Sequence, residues 1–153
     1  MKELYTEIEI NSSVKEIWDV LMDIGSYSEW NPFMRIQGVL KTGERINVKI
    51  QPSGTKGMNF RPKILKLSEQ HELRWIGRLG VPGIFDGEHS FELKPIDSQH
   101  TLFLQREVFT GILVPFATRS LDKDSKRGFM EMNVALKKRV EQGLSTEQVV
   151  LTN

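Results

Sequence analysis

Three side chains in this sequence stand where their type and spacing could do chemistry: His89, Gln105 and Glu107. His89 sits in the run Phe85, Gly87, His89, Phe91, Leu93, which alternates with Asp86, Glu88, Ser90 and Glu92. Period two is the signature of a strand, so His89 shares a face with apolar side chains. An imidazole there titrates near neutral pH and can give or take a proton. It can equally be a core histidine whose ring nitrogens are simply hydrogen-bonded. Gln105 and Glu107 lie two apart in the next run, on the face that also carries Phe103 and Phe109. The other face carries Leu102, Leu104, Arg106 and Val108, so apolar content alone does not choose between them. We take the face of Phe103 and Phe109 as inward, because aromatic bulk at both ends suits a cavity wall and Arg106 is better placed in water. Glu107 is then a partly buried carboxylate that needs a partner. His89 is the candidate across the hairpin, where side chains on neighbouring strands meet. A buried Glu–His pair can serve proton transfer or act as a structural ion pair, which makes His89 and Glu107 the candidate catalytic residues.

Other residues suit a binding wall better than reaction chemistry. Trp30, Phe33, Phe60 and Trp75 are large aromatics that either fill volume or stack on a ligand. Ser125 and Gly128 fall on the apolar side of a long helix near the C-terminus, where a filled core would carry Leu or Phe. Glycine inside a helix costs about 1 kcal/mol relative to alanine, so a compensating reason is expected. Either a neighbouring element approaches the backbone closely there, or the small residues leave room for a ligand.

Composition removes several function classes. Cysteine is absent, which excludes disulfides, thiolate nucleophiles and cysteine-based metal sites. Three separated histidines argue against zinc, no glycine-rich phosphate loop precedes a helix, and no Ser, His and Asp set has a nucleophile's spacing. We expect no metal and no cofactor. A net charge of +1, with basic and aromatic residues not interleaved on one face, gives no reason to expect a nucleic-acid partner. No apolar run approaches the roughly 20 residues needed to span a bilayer, and the first residues lack a signal-peptide pattern. The expectation is a cytoplasmic protein without membrane insertion.

The elements that must position these residues can be read in order. Leu4, Thr6, Ile8 and Ile10 alternate as a half-buried strand. Ser13 followed by Glu16 matches a capping box, and Val14, Ile17, Trp18, Leu21 and Met22 follow at helical spacing. A second short helical piece over 24–29 should end at Asn31-Pro32, because the residue before proline is driven out of the helical region. Residues 33–109 read as strands divided by turn signals, with Pro62 marking an edge or a bulge. Residues 112–142 read as one helix. Val114, Ala117, Leu121, Ser125, Gly128 or Phe129, Met132, Leu136 and Val140 recur along one side, with Pro115 in the first turn and Gly143 just past the end.

Taken together, several short runs are similar to the START/Bet v 1-like (SRPBCC) helix-grip superfamily, and within it to the polyketide cyclase/dehydrase-like branch. The carriers are Val14-Lys15-Glu16-Ile17-Trp18, Trp30-Asn31-Pro32-Phe33, Leu73-Arg74-Trp75 with Gly77, Gly87-Glu88-His89-Ser90-Phe91, and Gln105-Arg106-Glu107 with Phe109 and Gly111. The resemblance covers about residues 3–143. It implies an α+β helix-grip fold: a curved antiparallel β-sheet of about six or seven strands wrapped around a long C-terminal α-helix, with two short helices after the first strand. One domain over 1–144 and a flexible tail over 145–153 are expected. The resemblance further implies an apolar cavity between sheet and helix that binds a hydrophobic small molecule, lipid or polyketide-like. The wall would include Trp30, Phe33, Phe60, Trp75, Phe85, His89, Phe91, Phe103, Gln105, Glu107, Ser125, Gly128, Phe129 and Met132. One alternative is a cyclase or dehydratase with acid–base residues in the cavity. A second is a co-chaperone-like interaction domain. The residues leave open whether a reaction is catalysed, and a monomer and a homodimer fit equally.

Overall fold

Alternation in the first ten residues produces strand β1 (Lys2–Ile10), which buries Leu4, Thr6 and Ile10. A computed structural model of the chain describes residues 1–152, with side chains described over 1–143; the tail expected at 145–153 lies outside these fully described residues. Helix α1 (Val14–Met22) starts where Ser13 accepts the Glu16 N–H through its hydroxyl oxygen at 3.3 Å, and it buries Ile17, Trp18 and Leu21. A 3-10 helix follows at Ile24–Glu29. The chain then breaks at Asn31-Pro32. The side-chain oxygen of buried Asn31 accepts the N–H groups of Phe33 and Met34, each at 3.0 Å, and so turns Phe33 inward.

Among the described residues, eight strands form two hydrogen-bonded antiparallel sheets, where the sequence predicts one curved sheet of about six or seven strands. β2 (Met34–Gln37), β3 (Asn47–Ile50) and β4 (Met58–Phe60) make a small sheet. β5 (Lys63–Ser68), β6 (Glu72–Arg78), β7 (Asp86–Asp97) and β8 (His100–Thr110) join β1 in a larger one, ordered β1-β8-β7-β6-β5. Pro62 stands at the division. It has no N–H to give a ladder, so the chain leaves one sheet there and enters the edge of the other. Backbone bonds stitch the two sheets together: Gly43 N–H to the Ile64 carbonyl at 2.8 Å, and Ile64 N–H to that of Glu44 at 2.9 Å.

The long C-terminal helix is present but interrupted. α2 (Val114–Ser120) begins with Pro115 in its first turn, a five-residue π-turn follows at Leu121–Ser125, and α3 (Lys126–Thr152) continues beyond Gly143, where the sequence placed a stop. The Lys126 N–H reaches back five residues to the Leu121 carbonyl, the mark of a π-turn. Residues 112 and 113 are tied to a loop instead, with N–H bonds to the Gly83 and Ile84 carbonyls, each at 3.0 Å. Gly111 makes that crossing possible. Its φ is +124°, and a side chain there would overlap the Ile84 carbonyl. The buried face of α3 presents Phe129, Met132, Leu136 and Val140 to the concave side of the large sheet, and α3 packs on β1 and α1. This is a sheet gripping a helix, the α+β arrangement that the strand order predicts.

Candidate functional site

Register decides what meets what on the concave face. Trp75 on β6, His89 on β7, Glu107 on β8 and Leu4 on β1 are directly opposed across four strands. The inward assignment of β8 is therefore settled: Phe103, Gln105, Glu107 and Phe109 are buried and Arg106 is in water. His89 Nδ1 lies 3.2 Å from Glu107 Oε2. The imidazole stacks on Trp75, with ring centroids 5.0 Å apart and planes 16° from parallel, and meets Phe91 and Phe129 edge-on. Its Nε2 is buried with no hydrogen-bond partner. A proton on Nδ1 places the donor toward Glu107 and leaves a bare lone pair among the rings.

One row further along, Gly77 and Gly87 oppose each other and Phe109. Two adjacent glycines leave the sheet without side chains, and the space is used. Phe60 from the small sheet lies over Gly77, where an added Cβ would come within 3.0 Å of its ring. The Glu107 carboxylate lies over Gly87, whose added Cβ would stand 2.7 Å from Oε1. This bare floor belongs to a pocket of about 610 Å³ between the large sheet, the small sheet and the interrupted helix. Its wall is mainly apolar, including Phe33, Ile50, Phe60, Phe85, Phe109, Leu121 and Phe129, with Glu107 and Ser125 among its polar members. The pocket opens to solvent past Met58, Leu79 and Phe116, the last 86% exposed. Lys56 and Arg78 stand in the wall, the latter facing Asp86 at 3.6 Å.

Of the residues expected to form the wall, the structure brings together Phe33, Phe60, Phe85, Glu107, Ser125 and Phe129 at this pocket. Trp75, His89, Phe91, Phe103, Gln105, Gly128 and Met132 stand behind it or elsewhere in the packed interior, and Trp30 lies half-buried at the edge of the core. Gly128 has a specific reason to be small: the Phe33 ring lies directly against it, and an added Cβ would overlap that ring. Close approach, and not an open void, is the environment at that position. Gln105 is turned away from the pocket into a polar clamp. Its Nε2 donates to Asn133 Oδ1 at 2.7 Å and to the Phe129 carbonyl at 3.2 Å, and Asn133 Nδ2 donates to Thr6 Oγ1 at 3.0 Å. These bonds tie β1, β8 and α3 together.

Three features of the site escaped the sequence reading. Gly77 and Gly87 were visible as glycines inside strands, which signal close approach by another group. Asn133 carried no signal, being a polar residue within a helix rich in them. The π-turn was hinted at only by the ambiguous phase at Gly128 and Phe129. Among the described residues, no three His, Asp or Glu side chains gather where a metal ion could be held, and no helix is long and apolar enough to cross a membrane.

Comparison with known proteins agrees with this architecture. The START superfamily protein from Mycobacterium smegmatis superposes with a TM-score of 0.70 at 20% identity, covering 92% of this chain and 97% of that one. The Zhui aromatase/cyclase from Streptomyces sp. R1128 gives 0.73 at 11% identity, over 94% and 95%. Norcoclaurine synthase from Thalictrum flavum, solved with dopamine and hydroxybenzaldehyde, gives 0.69 at 14% identity, over 92% and 87%. No curated protein matches the sequence. The profile for polyketide cyclase/dehydrase and lipid transport proteins matches residues 1–144, and the chain belongs to that family.

Proposed function

We propose that this protein binds an apolar small molecule, lipid or polyketide-like, in the pocket between the sheet and the interrupted helix. The observation that carries the reading is the pocket itself: about 610 Å³, walled by phenylalanine and aliphatic side chains, with a carboxylate on a glycine floor. Ligand pockets typically combine a mostly apolar wall with a few placed polar groups. Burying apolar ligand area contributes about 25 cal/mol per Å² before the cost of ordering the ligand. Glu107 then orients the ligand, and His89 holds Glu107. Norcoclaurine synthase, of similar fold and solved with dopamine and hydroxybenzaldehyde, supports the reading. A thermal-shift and tryptophan-fluorescence screen of lipids, sterols and aromatic polyketides tests the reading. Saturable stabilisation by at least one class is expected, and no response from any cavity-sized apolar compound would sink it.

A second reading, a cyclase or dehydratase, is favoured by one specific observation: a carboxylate facing the pocket with an imidazole directly behind it at 3.2 Å. That pair could move a proton to or from a bound substrate whose folding the wall enforces. His89→Gln distinguishes the two readings. An enzyme loses turnover while keeping ligand affinity, and a binding protein has no turnover to lose.

A further inference from the structure

Glu107 is only 8% exposed, yet it spends one oxygen on a partner and turns the other into the pocket. Oε2 faces His89 Nδ1, whereas Oε1 lies over Gly87 on the pocket floor. Among the described residues no Lys or Arg pairs with this carboxylate. Arg78, in the same wall, faces Asp86, and Lys56 projects from the exposed loop between β3 and β4. The imidazole engages Glu107 through Nδ1 alone. Its other ring nitrogen, Nε2, is enclosed by Trp75, Phe91 and Phe129 with no hydrogen-bond partner and does not reach the pocket.

The wall around Glu107 has a matching bias. Six of the chain's eight phenylalanines, Phe33, Phe60, Phe85, Phe109, Phe116 and Phe129, line this one pocket. Phenyl faces carry the negative side of a quadrupole and attract cations as well as apolar groups. A neutral hydrocarbon would satisfy the rings and offer Glu107 Oε1 no donor.

We propose that the pocket selects an amine: an apolar body carrying a protonated nitrogen that donates to Glu107 Oε1 while the phenyl rings surround the rest. Glu107 is the residue that determines this specificity, and His89 positions it. The inference rests on the reading of the pocket as a ligand site, and one titration series separates the two. 6-Phenylhexylamine, 6-phenylhexanol and 6-phenylhexanoate share a skeleton and differ only in the terminal group. Calorimetry at pH 7 should show the amine binding at least about tenfold tighter than the alcohol, the scale of a hydrogen bond to a charged group, and the carboxylate weakest. Glu107→Gln should remove the amine's advantage over the alcohol. Gly87→Ala provides a second variant that keeps every charge. Its methyl group must push the Glu107 carboxylate off the floor, so it too should erode the preference. Equal binding of all three compounds, or a preference that survives in both variants, overturns the amine and leaves an apolar site standing. Failure of all three to bind overturns both.

Discussion

Replacing Gly128 by leucine should destabilise the fold by about 1–3 kcal/mol or more, the usual cost of overpacking. The new side chain would have to displace the Phe33 ring, which Asn31 holds in place through the backbone of residues 33 and 34. Urea unfolding of the variant checks this, and an unchanged midpoint would contradict the packing described here. Asn133 offers a complementary test. Asn133→Leu removes one of the two acceptors of Gln105 Nε2, leaving it only the Phe129 carbonyl, and takes the Asn133 donor from Thr6 Oγ1; unmaking such buried bonds costs about 1–3 kcal/mol. A double-mutant cycle with Gln105→Leu should show strong coupling, with the double variant less damaged than the two single losses added. Ligand affinity should hardly change in either case, because neither side chain reaches the pocket. Residue identity alone could suggest an inward Glu107 facing His89. It could not show that Gln105 turns to α3 instead of the pocket, since that depends on an asparagine 28 positions away in sequence.

At the scale of elements, the π-turn at Leu121–Ser125 sets which residues of the helix face the pocket. An α-helix advances about 100° per residue, so one extra residue in a turn rotates everything before it relative to everything after. Leu121 and Ser125 face the pocket from within that turn, and Phe116 and Ala117 precede it. Deleting Lys123, an exposed residue of the turn, should restore a regular helix and swing α2 off the pocket. Circular dichroism should then show undiminished helix while binding of an apolar fluorescent probe falls. Retained binding would show that the turn does not set the wall. The periodicity of apolar residues revealed the long helix, the strand alternation and the capping serine, because each is a local pattern. The π-turn was hidden because an insertion of one residue leaves a pattern that a straight helix can nearly fit. The two-sheet division was hinted at by Pro62, yet which strands pair across space is fixed by contacts far apart in the chain.

The whole molecule is held by its concave core and by a few charged clasps on its surface, one of which predicts a pH response. Burial raises the Glu72 carboxyl, but Lys66, at 2.7 Å, and Arg74 outweigh that effect and hold it below its usual range. A lowered folded-state pKa stabilises the protein above the unfolded value, about 4.3 for glutamate, and that stabilisation is lost as pH falls through the folded value. Wild type should therefore melt higher than Glu72→Gln at neutral pH, and the gap should close in acid. A gap that stayed constant with pH would contradict the assignment. The central claim, that the pocket under the interrupted helix is a binding site, has a more direct test. Ser125 lines the pocket and is small, so Ser125→Trp should fill it from the helix side without touching Glu107. Titration with Nile red should give saturable one-to-one binding to wild type and an affinity at least about tenfold weaker for the variant, a loss of 1.4 kcal/mol or more, with the melting temperature little changed. Equal binding by both proteins, or no saturable binding to wild type, would contradict the account.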